Sequence, residues 1–419
     1  MSRRAFITGV GVVAPGGVGR DPFWELLTQG RTATRRLSLC DPEPFRSRVA
    51  AEVDFDAEAA GLTDRQATEL DRAAQFALFA AREAVQDAAW QGTCPPQRAG
   101  VIVGSAVGAT TKLEEVYRQL SGDGALWDVS PDSPAELYSY FVPSSFASEI
   151  ARSFGITGQS GVVSTGCTSG IDSVGNAWEL IRSGVLDTVV CGATDAPISP
   201  ITVACFDTIK ATSTYNDTPE SASRPFDATR SGFVLGEGSA MFVLESEESV
   251  ERRGARVYGE ITGYASRCNA YHMTGLKADG RELAEAVVAT LRQARLAPEE
   301  LDYVNAHGSG TKQNDRHETA ALKAALGTAA REVPISSIKS MVGHSLGAIG
   351  SLEIAACALA LRNDVIPPTA NLTQPDPELD LDYVPVHARK QPTNSVLTTG
   401  SGFGGFQSAM VLTDPEKSS

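Results

Sequence analysis

The stretch Val162-Val-Ser-Thr-Gly-Cys-Thr-Ser-Gly170 decides how this chain is read. An apolar strand runs into Gly166-Cys167, and a helix-compatible stretch, Ile171 to Ser183, follows. Small residues on both sides let the backbone turn sharply. Cys167 then sits at a helix N-terminus, where free backbone N–H groups and the positive dipole end favour a thiolate. A thiolate so placed is an activated nucleophile. The ordinary reading of a lone cysteine is a buried structural thiol, and Cys40, Cys94, Cys191, Cys205, Cys268 and Cys357 keep it. Cys167 differs because its flanks are glycine and hydroxyl residues rather than apolar packing.

Outward from this turn, short apolar strands alternate with helical stretches. Arg4–Thr8, Gly100–Val103, Thr188–Gly192 and Ala240–Glu245 read as strands before residue 250. Val257–Thr262, Tyr303–Ala306, Ile335–Ser337, Ser395–Thr399 and Ala409–Leu412 follow, with helices at Gly280–Ala294, Asp315–Leu326 and Gly347–Leu361. The alternation predicts α/β layers. Thr188-Val-Val-Cys-Gly192 is apolar on both faces, as in a buried sheet. The charged run Glu245–Gly254 marks the boundary between two lobes or a solvated surface helix. The loop-rich Ser121–Pro143 is expected to cover something.

Composition narrows the function. The chain has 419 residues, 42% hydrophobic and 21% charged, enough to bury roughly three quarters of its unfolded surface. A net charge of −15 without a Lys/Arg cluster argues against nucleic acid. Seven cysteines without a CxxC pair exclude a disulfide scaffold and a zinc ribbon, and suit free thiols in a reducing cytoplasm. No uncharged apolar run reaches the ~18 residues of a membrane span; Ser351–Leu361 is shorter and carries Glu353. Met1-Ser-Arg-Arg-Ala-Phe6 resembles a twin-arginine export signal, but no small-x-small cleavage site follows. A buried first strand entering a glycine turn is the expectation there.

Other motifs are weaker. Gly9-Val-Gly-Val-Val-Ala14 matches a dinucleotide-binding turn, but Pro15-Gly-Gly17 interrupts where a helix must start, so a plain glycine turn is expected. Gly343-His-Ser-Leu-Gly347 offers a serine-hydrolase elbow at Ser345, with Asp376, Asp380 or Asp382 and His387 in hydrolase order. The polar Ser336-Ser-Ile-Lys-Ser-Met-Val342 before it is a poor elbow strand. The five histidines form no HExxH and no helical pair, so no metal is expected. His307 in Asn305-Ala-His-Gly-Ser-Gly-Thr311 and His344 in Lys339-Ser-Met-Val-Gly-His344 both lie beside glycine at a strand end, on loops of the kind that host function. A cysteine with two such histidines and a lysine suits thioester chemistry: the thiolate takes an acyl group, and two imidazole N–H donors hold an enolate after decarboxylation. Gly400-Ser-Gly-Phe-Gly-Gly405 could add a backbone N–H to an oxyanion hole.

Gly166-Cys-Thr-Ser-Gly170, the His307 and His344 motifs and Gly402-Phe-Gly-Gly405, collinear from Ala5 to about Thr413, resemble the signature set of β-ketoacyl synthases of the thiolase superfamily. Within that family, Asp195–Phe206, Ser266–Gly275, Thr311–Glu318 and Ser401–Gln407 look like the alpha subunit of type II (aromatic-type) polyketide ketosynthases. The resemblance implies an acyltransferase with a thiolase-like fold: two similar halves, 1–250 and 251–419, in a five-layer α-β-α-β-α sandwich. It implies Cys167 as acyl acceptor and His307 and His344 as decarboxylation residues. Lys339 would be paired with Glu353, and Thr311 and Asp315 would stand behind the site. Phe403 would be a gate whose N–H joins that of Cys167 in the oxyanion hole, and Asn269–Thr274 would move with it.

The implied partners are an acyl carrier protein bearing phosphopantetheine-linked malonyl and acyl groups, and a chain-length factor (ketosynthase beta) as heterodimer. No cofactor, nucleic acid or membrane is implied, and the place is the cytoplasm. The alternative within the family is a homodimeric fatty-acid 3-oxoacyl-[acyl-carrier-protein] synthase II. Ser401 stands where fatty-acid relatives have an aromatic, and Ser309 where they often have threonine. The carrier-docking segment Leu62–Leu70 offers only Arg65 among acids, which Lys210 would compensate. A scaffold without catalysis is the remaining alternative.

Overall fold

A computed structural model describes residues 3–126 and 136–417. The first half holds strands β1 (Ala5–Ala14), β2 (Ala99–Gly104), β3 (Ser160–Val163), β4 (Thr188–Asp195) and β5 (Gly238–Ser246). Its main helices are α1 (Arg72–Asp87), α2 (Ser144–Phe154) and α3 (Ser169–Arg182). The second half holds β6 (Gly259–Cys268), β7 (Tyr303–Asn305), β8 (Ile335–Ser336), β9 (Ser395–Gly402) and β10 (Phe406–Thr413). Its helices are α4 (Arg281–Ala294), α5 (Lys312–Leu326) and α6 (Ile349–Asn363). The strands lie in the order β8-β7-β9-β10-β6-β1-β5-β4-β2-β3. Each half therefore repeats one order, third-second-fourth-fifth-first, with parallel pairs at the outer end and antiparallel pairs toward the seam. The halves meet edge to edge where β1 pairs with β6 at Phe6↔Glu260 and Ile7↔Gly259. The two sheets thus continue as one ladder.

Helices α3 and α6 form the middle layer and touch both sheets, while α1 and α2 cover the first sheet and α4 and α5 the second. This is the five-layer α/β arrangement. Both middle helices are buried along most of their length because apolar sheet faces flank them. The stretch Leu346–Asn363 passes the length and composition test for a membrane span, yet 89% of it is buried inside the fold. It is longer than the Ser351–Leu361 stretch read from sequence, since the turn at Leu346–Ala348 continues into the helix.

The structure corrects the expectation of a glycine turn at Gly9–Ala14: the strand continues to Ala14, and the turn comes later, at Pro15-Gly16. β1 runs unbroken through Gly9 and Gly11. A Cβ on Gly9 would lie 2.1 Å from the Ala84 carbonyl oxygen, and one on Gly11 1.9 Å from that of Ala80. The glycines serve a close strand–helix approach. The charged run folds as a helix, Glu247–Arg253, capped by Ser246, whose side chain accepts from the Ser249 N–H. Arg3 pairs with Asp187 and Glu248, and Arg4 with Glu247 and Glu260; Met1 and Ser2 of the arginine motif lie outside the described residues. Of the Ser121–Pro143 loop, residues 127–135 lie outside them also.

Candidate active site

Each middle helix is entered through a tight turn, and these turns face each other. In the first half β3 leads to the turn Gly166–Thr168, which carries Cys167 and runs into α3. In the second half β8 leads through Lys339–Val342 and His344 to the turn Leu346–Ala348 and α6. His307 follows β7, and Phe403 tips the β9–β10 hairpin. Cys167, His307, His344, Thr311 and Phe403 line one narrow cleft, with Phe206, Phe233 and Ser401. Gly402 lets the hairpin cross the cysteine turn, since a Cβ there would sit 3.3 Å from the Cys167 nitrogen.

The two imidazoles lie edge to face with centroids 5.3 Å apart. His344 Nδ1 accepts from the Leu346 N–H at 3.2 Å, so in the neutral ring the proton is on Nε2. His307 Nδ1 lies 3.4 Å from the Lys339 ammonium, which only donates, so its proton is also on Nε2. Burial, then the Lys339 charge, holds both histidines well below their ordinary range. Both rings are neutral donors at physiological pH. Lys339 also donates to the His307 carbonyl and pairs with Glu353, both partners fully buried. Burial raises the Glu353 carboxyl to about 7, against the Lys339 charge.

The thiol corrects the expectation of a resting thiolate. Burial pushes Cys167 up to about 11; the Lys339 charge and the Phe403 N–H, which bonds the thiol, only partly offset this. The helix terminus does not win, because removing a charge from water costs more than a dipole end returns. In the free chain the thiol is protonated at pH 7.

Carboxylates hold the loops. Glu318 accepts from the His307 N–H (2.7 Å), the Gly308 N–H (2.8 Å) and the Thr399 hydroxyl (2.7 Å). Asp195 accepts from the Gly347 N–H (2.7 Å), the Ala106 N–H (2.9 Å) and the Ser105 hydroxyl (2.7 Å), anchoring the turn after His344. Asp315 stays outside the cleft: it accepts from the Gly310 and Phe226 N–H groups and pairs with buried Arg230. Thr311 reaches the cleft and caps α5, accepting from the Asn314 N–H. The Phe403 hairpin and the loop Asn269–Thr274 are joined, the Gly404 N–H donating to the Met273 carbonyl at 2.6 Å and the Asn269 N–H to the Gly405 carbonyl at 2.9 Å. Sequence reasoning assigned no role to Glu318, Asp195, Phe206 or Phe233. Glu318 had a signal, since Asp315 and Glu318 share one face of α5.

The hydrolase alternative fails on geometry. Ser345 is fully buried. Asp376 pairs with Arg230, Asp380 with Lys323 and Arg331, and Asp382 with Arg389, while His387 is exposed. Arg65 pairs with Glu69 and Glu149, whereas Lys210 is exposed beside the cleft mouth.

A thiol, two neutral imidazole donors and a buried lysine around one cleft, on two repeated α/β halves, define a condensing enzyme of the thiolase-like class. Residues 2–249 match the family described as Beta-ketoacyl synthase, N-terminal domain, and residues 258–373 its C-terminal domain. The chain is 60% identical over 417 residues to the tetracenomycin polyketide synthase ketoacyl synthase alpha subunit of Streptomyces glaucescens, covering 99% of this chain and 98% of that one. It is 37% identical to a 3-oxoacyl-[acyl-carrier-protein] synthase 2 of Synechocystis, covering 96% of each. A solved type II polyketide synthase acyl-carrier protein in complex with its hexaketide-bound ketosynthase matches with TM-score 0.92 and 36% identity, over 99% of both chains. The ishigamide ketosynthase/chain length factor matches with TM-score 0.90 and 32% identity, over 99% of both. The chain belongs to the β-ketoacyl synthase family, and within it to the ketosynthases of type II polyketide synthases.

Proposed function

We propose that this chain extends a polyketide by decarboxylative Claisen condensation, as the alpha subunit of a type II ketosynthase. An acyl group passes from the pantetheine thiol of an acyl carrier protein to Cys167. The attacking sulfur forms the new S–C bond, the pantetheine S–C bond breaks, and the thiol proton leaves with the pantetheine. The Cys167 and Phe403 N–H groups stabilise the oxyanion. Malonyl-carrier protein then loses carbon dioxide, and the enolate oxygen is held by the Nε2–H donors of His307 and His344. The enolate carbon forms the new C–C bond to the acyl carbon, the Cys167 S–C bond breaks, and the departing thiolate takes up a proton from water to return the thiol. Lys339, fixed by Glu353, keeps both rings neutral. The observation that carries this reading is the pair of neutral imidazoles facing one thiol.

Residues 1–250 act as the nucleophile half and 251–419 as the histidine half, and the seven free thiols suit the cytoplasm. The chain-length-factor partner is supported by an apolar face on which Leu126, Tyr138, Phe141 and Ile201 are 68%, 72%, 71% and 52% exposed. Removing such apolar surface from water favours association by ~25 cal/mol per Å² before the entropy cost of joining two chains is subtracted.

The test is co-expression with a candidate beta subunit, then intact mass after incubation with acyl- and malonyl-carrier protein. A heterodimer with acyl mass on Cys167 and released carbon dioxide is expected, and Cys167→Ala abolishes condensation. A homodimer acylated equally well by simple fatty acyl donors would move the assignment to fatty-acid elongation. Full condensing activity in Cys167→Ala would end it.

A further inference from the structure

We propose that Asp172 is a positioning residue for acyl transfer to Cys167, clamping the nucleophile turn and tying it to the hairpin that carries Phe403. The proposal rests on Cys167 being the acyl acceptor. Asp172 lies in the first turn of α3, is 2% exposed and does not line the cleft. Its Oδ2 accepts from the hydroxyls of Thr165 (2.5 Å) and Thr168 (2.8 Å), on either side of Gly166-Cys167. Its Oδ1 accepts from the hydroxyls of Ser408 on β10 (2.6 Å) and Tyr264 on β6 (2.9 Å). All four lone-pair directions of one carboxylate are thus occupied, two by each half of the molecule. A fully satisfied buried network of this kind is rigid.

The geometry links this network to the chemistry. Ser408 pairs across the hairpin with Gly400, and that strand ends at Gly402, against the Cys167 nitrogen. The two N–H donors that meet the oxyanion, those of Cys167 and Phe403, therefore come from different halves. Among the described residues, Asp172 hydrogen-bonds to both supports. A shift of ~1 Å between such donors costs on the order of 10²-fold in rate. The histidines depend on other clamps, Glu318 and Asp195, so the two chemical steps separate.

The experiment compares two rates in Asp172→Asn. The amide is isosteric, but its NH₂ cannot accept, so the two hydroxyls on that side must rotate to accept from it and the turn is held by a different set of bonds. Acylation of Cys167 by acyl-carrier protein is expected to fall about 10- to 100-fold. Carbon dioxide release from malonyl-carrier protein, measured in the Cys167→Ala background, is expected to stay within about twofold. A merely structural role would lower both together. Tyr264→Phe removes one hydroxyl at a distance and should show the same split at smaller size; it decides the matter if Asp172→Asn does not fold. Unchanged acylation, or a parallel fall of both rates, overturns the proposal. Failure of the unsubstituted enzyme to acylate Cys167 would instead overturn the reading of the nucleophile, and the proposal with it.

Discussion

The two halves share a strand order and a middle helix entered by a tight turn, yet they treat polar groups in opposite ways. In the first half the turn carries a half-buried thiol, and a ring of neutral hydroxyls around Asp172 supports it. In the second half His344 stands just before the turn, beside the buried Lys339–Glu353 pair, and Glu318 with first-half Asp195 grips the backbone N–H groups of these loops. The difference suits the chemistry proposed for each. A thiol that gives up its proton only on acylation has no use for a fixed cation in contact. Imidazoles that must stay neutral donors gain from a neighbouring ammonium, which opposes their protonation. In the proposed mechanism one fold, repeated, hosts a nucleophile at one helix entry and an electrostatic cradle at the other.

The contrast breaks most visibly at His344. His344→Ala is expected to lower malonyl decarboxylation by about 10²- to 10⁴-fold while leaving Cys167 acylation much less affected. Parallel stopped-flow measurements of the two steps check this, and equal losses would erase the division of labour between halves. Next comes the ion pair. Lys339→Met removes the charge that holds the Glu353 carboxyl down, so folding must bury this acid in its protonated form, and the variant is expected to cost about 3–5 kcal/mol of stability at pH 8. Because burial already sets Glu353 near 7, acidification neutralises it, and the loss should shrink at pH 5; chemical denaturation at both values reads it.

The smallest effect concerns Asp195, whose carboxyl burial raises to about 6 from 3.8. The folded state then binds more protons than the unfolded chain between pH 4 and 6. Its contribution is present below pH 4 and lost as pH rises through 6. At ~1.4 kcal/mol per unit this amounts to about 3 kcal/mol. Asp195→Asn should remove that share of the downward slope of stability with pH, and an unchanged slope would show the carboxyl to be ordinary.

Much of this was legible in the residues. The alternation of apolar strands and helices anticipated the layers, and glycine beside Cys167, His307 and His344 marked the loops that meet at the cleft. Other features were misread for physical reasons. Gly9 and Gly11 look like a turn because a sequence cannot show a helix backbone pressing on a strand. Cys167 looks like a thiolate because its helix terminus is local, whereas the burial that raises it comes from both halves. Ser345 has an elbow motif, but the fold buries it and pairs its aspartates elsewhere.

What the sequence determined by itself is the set of reactive side chains and the elements that carry them, because strand period, helix caps and glycine flanks act over a few neighbouring residues. What only the tertiary structure decided is their protonation and their support. Asp172 is an unremarked residue of one helix until β6 and β10 bring Tyr264 and Ser408 against it. The Lys339–Glu353 pair was implied by the resemblance, but its full burial and the raised Glu353 carboxyl exist only in the fold. Desolvation and hydrogen bonding between distant segments set these properties, and both exist only once the two halves have closed on each other.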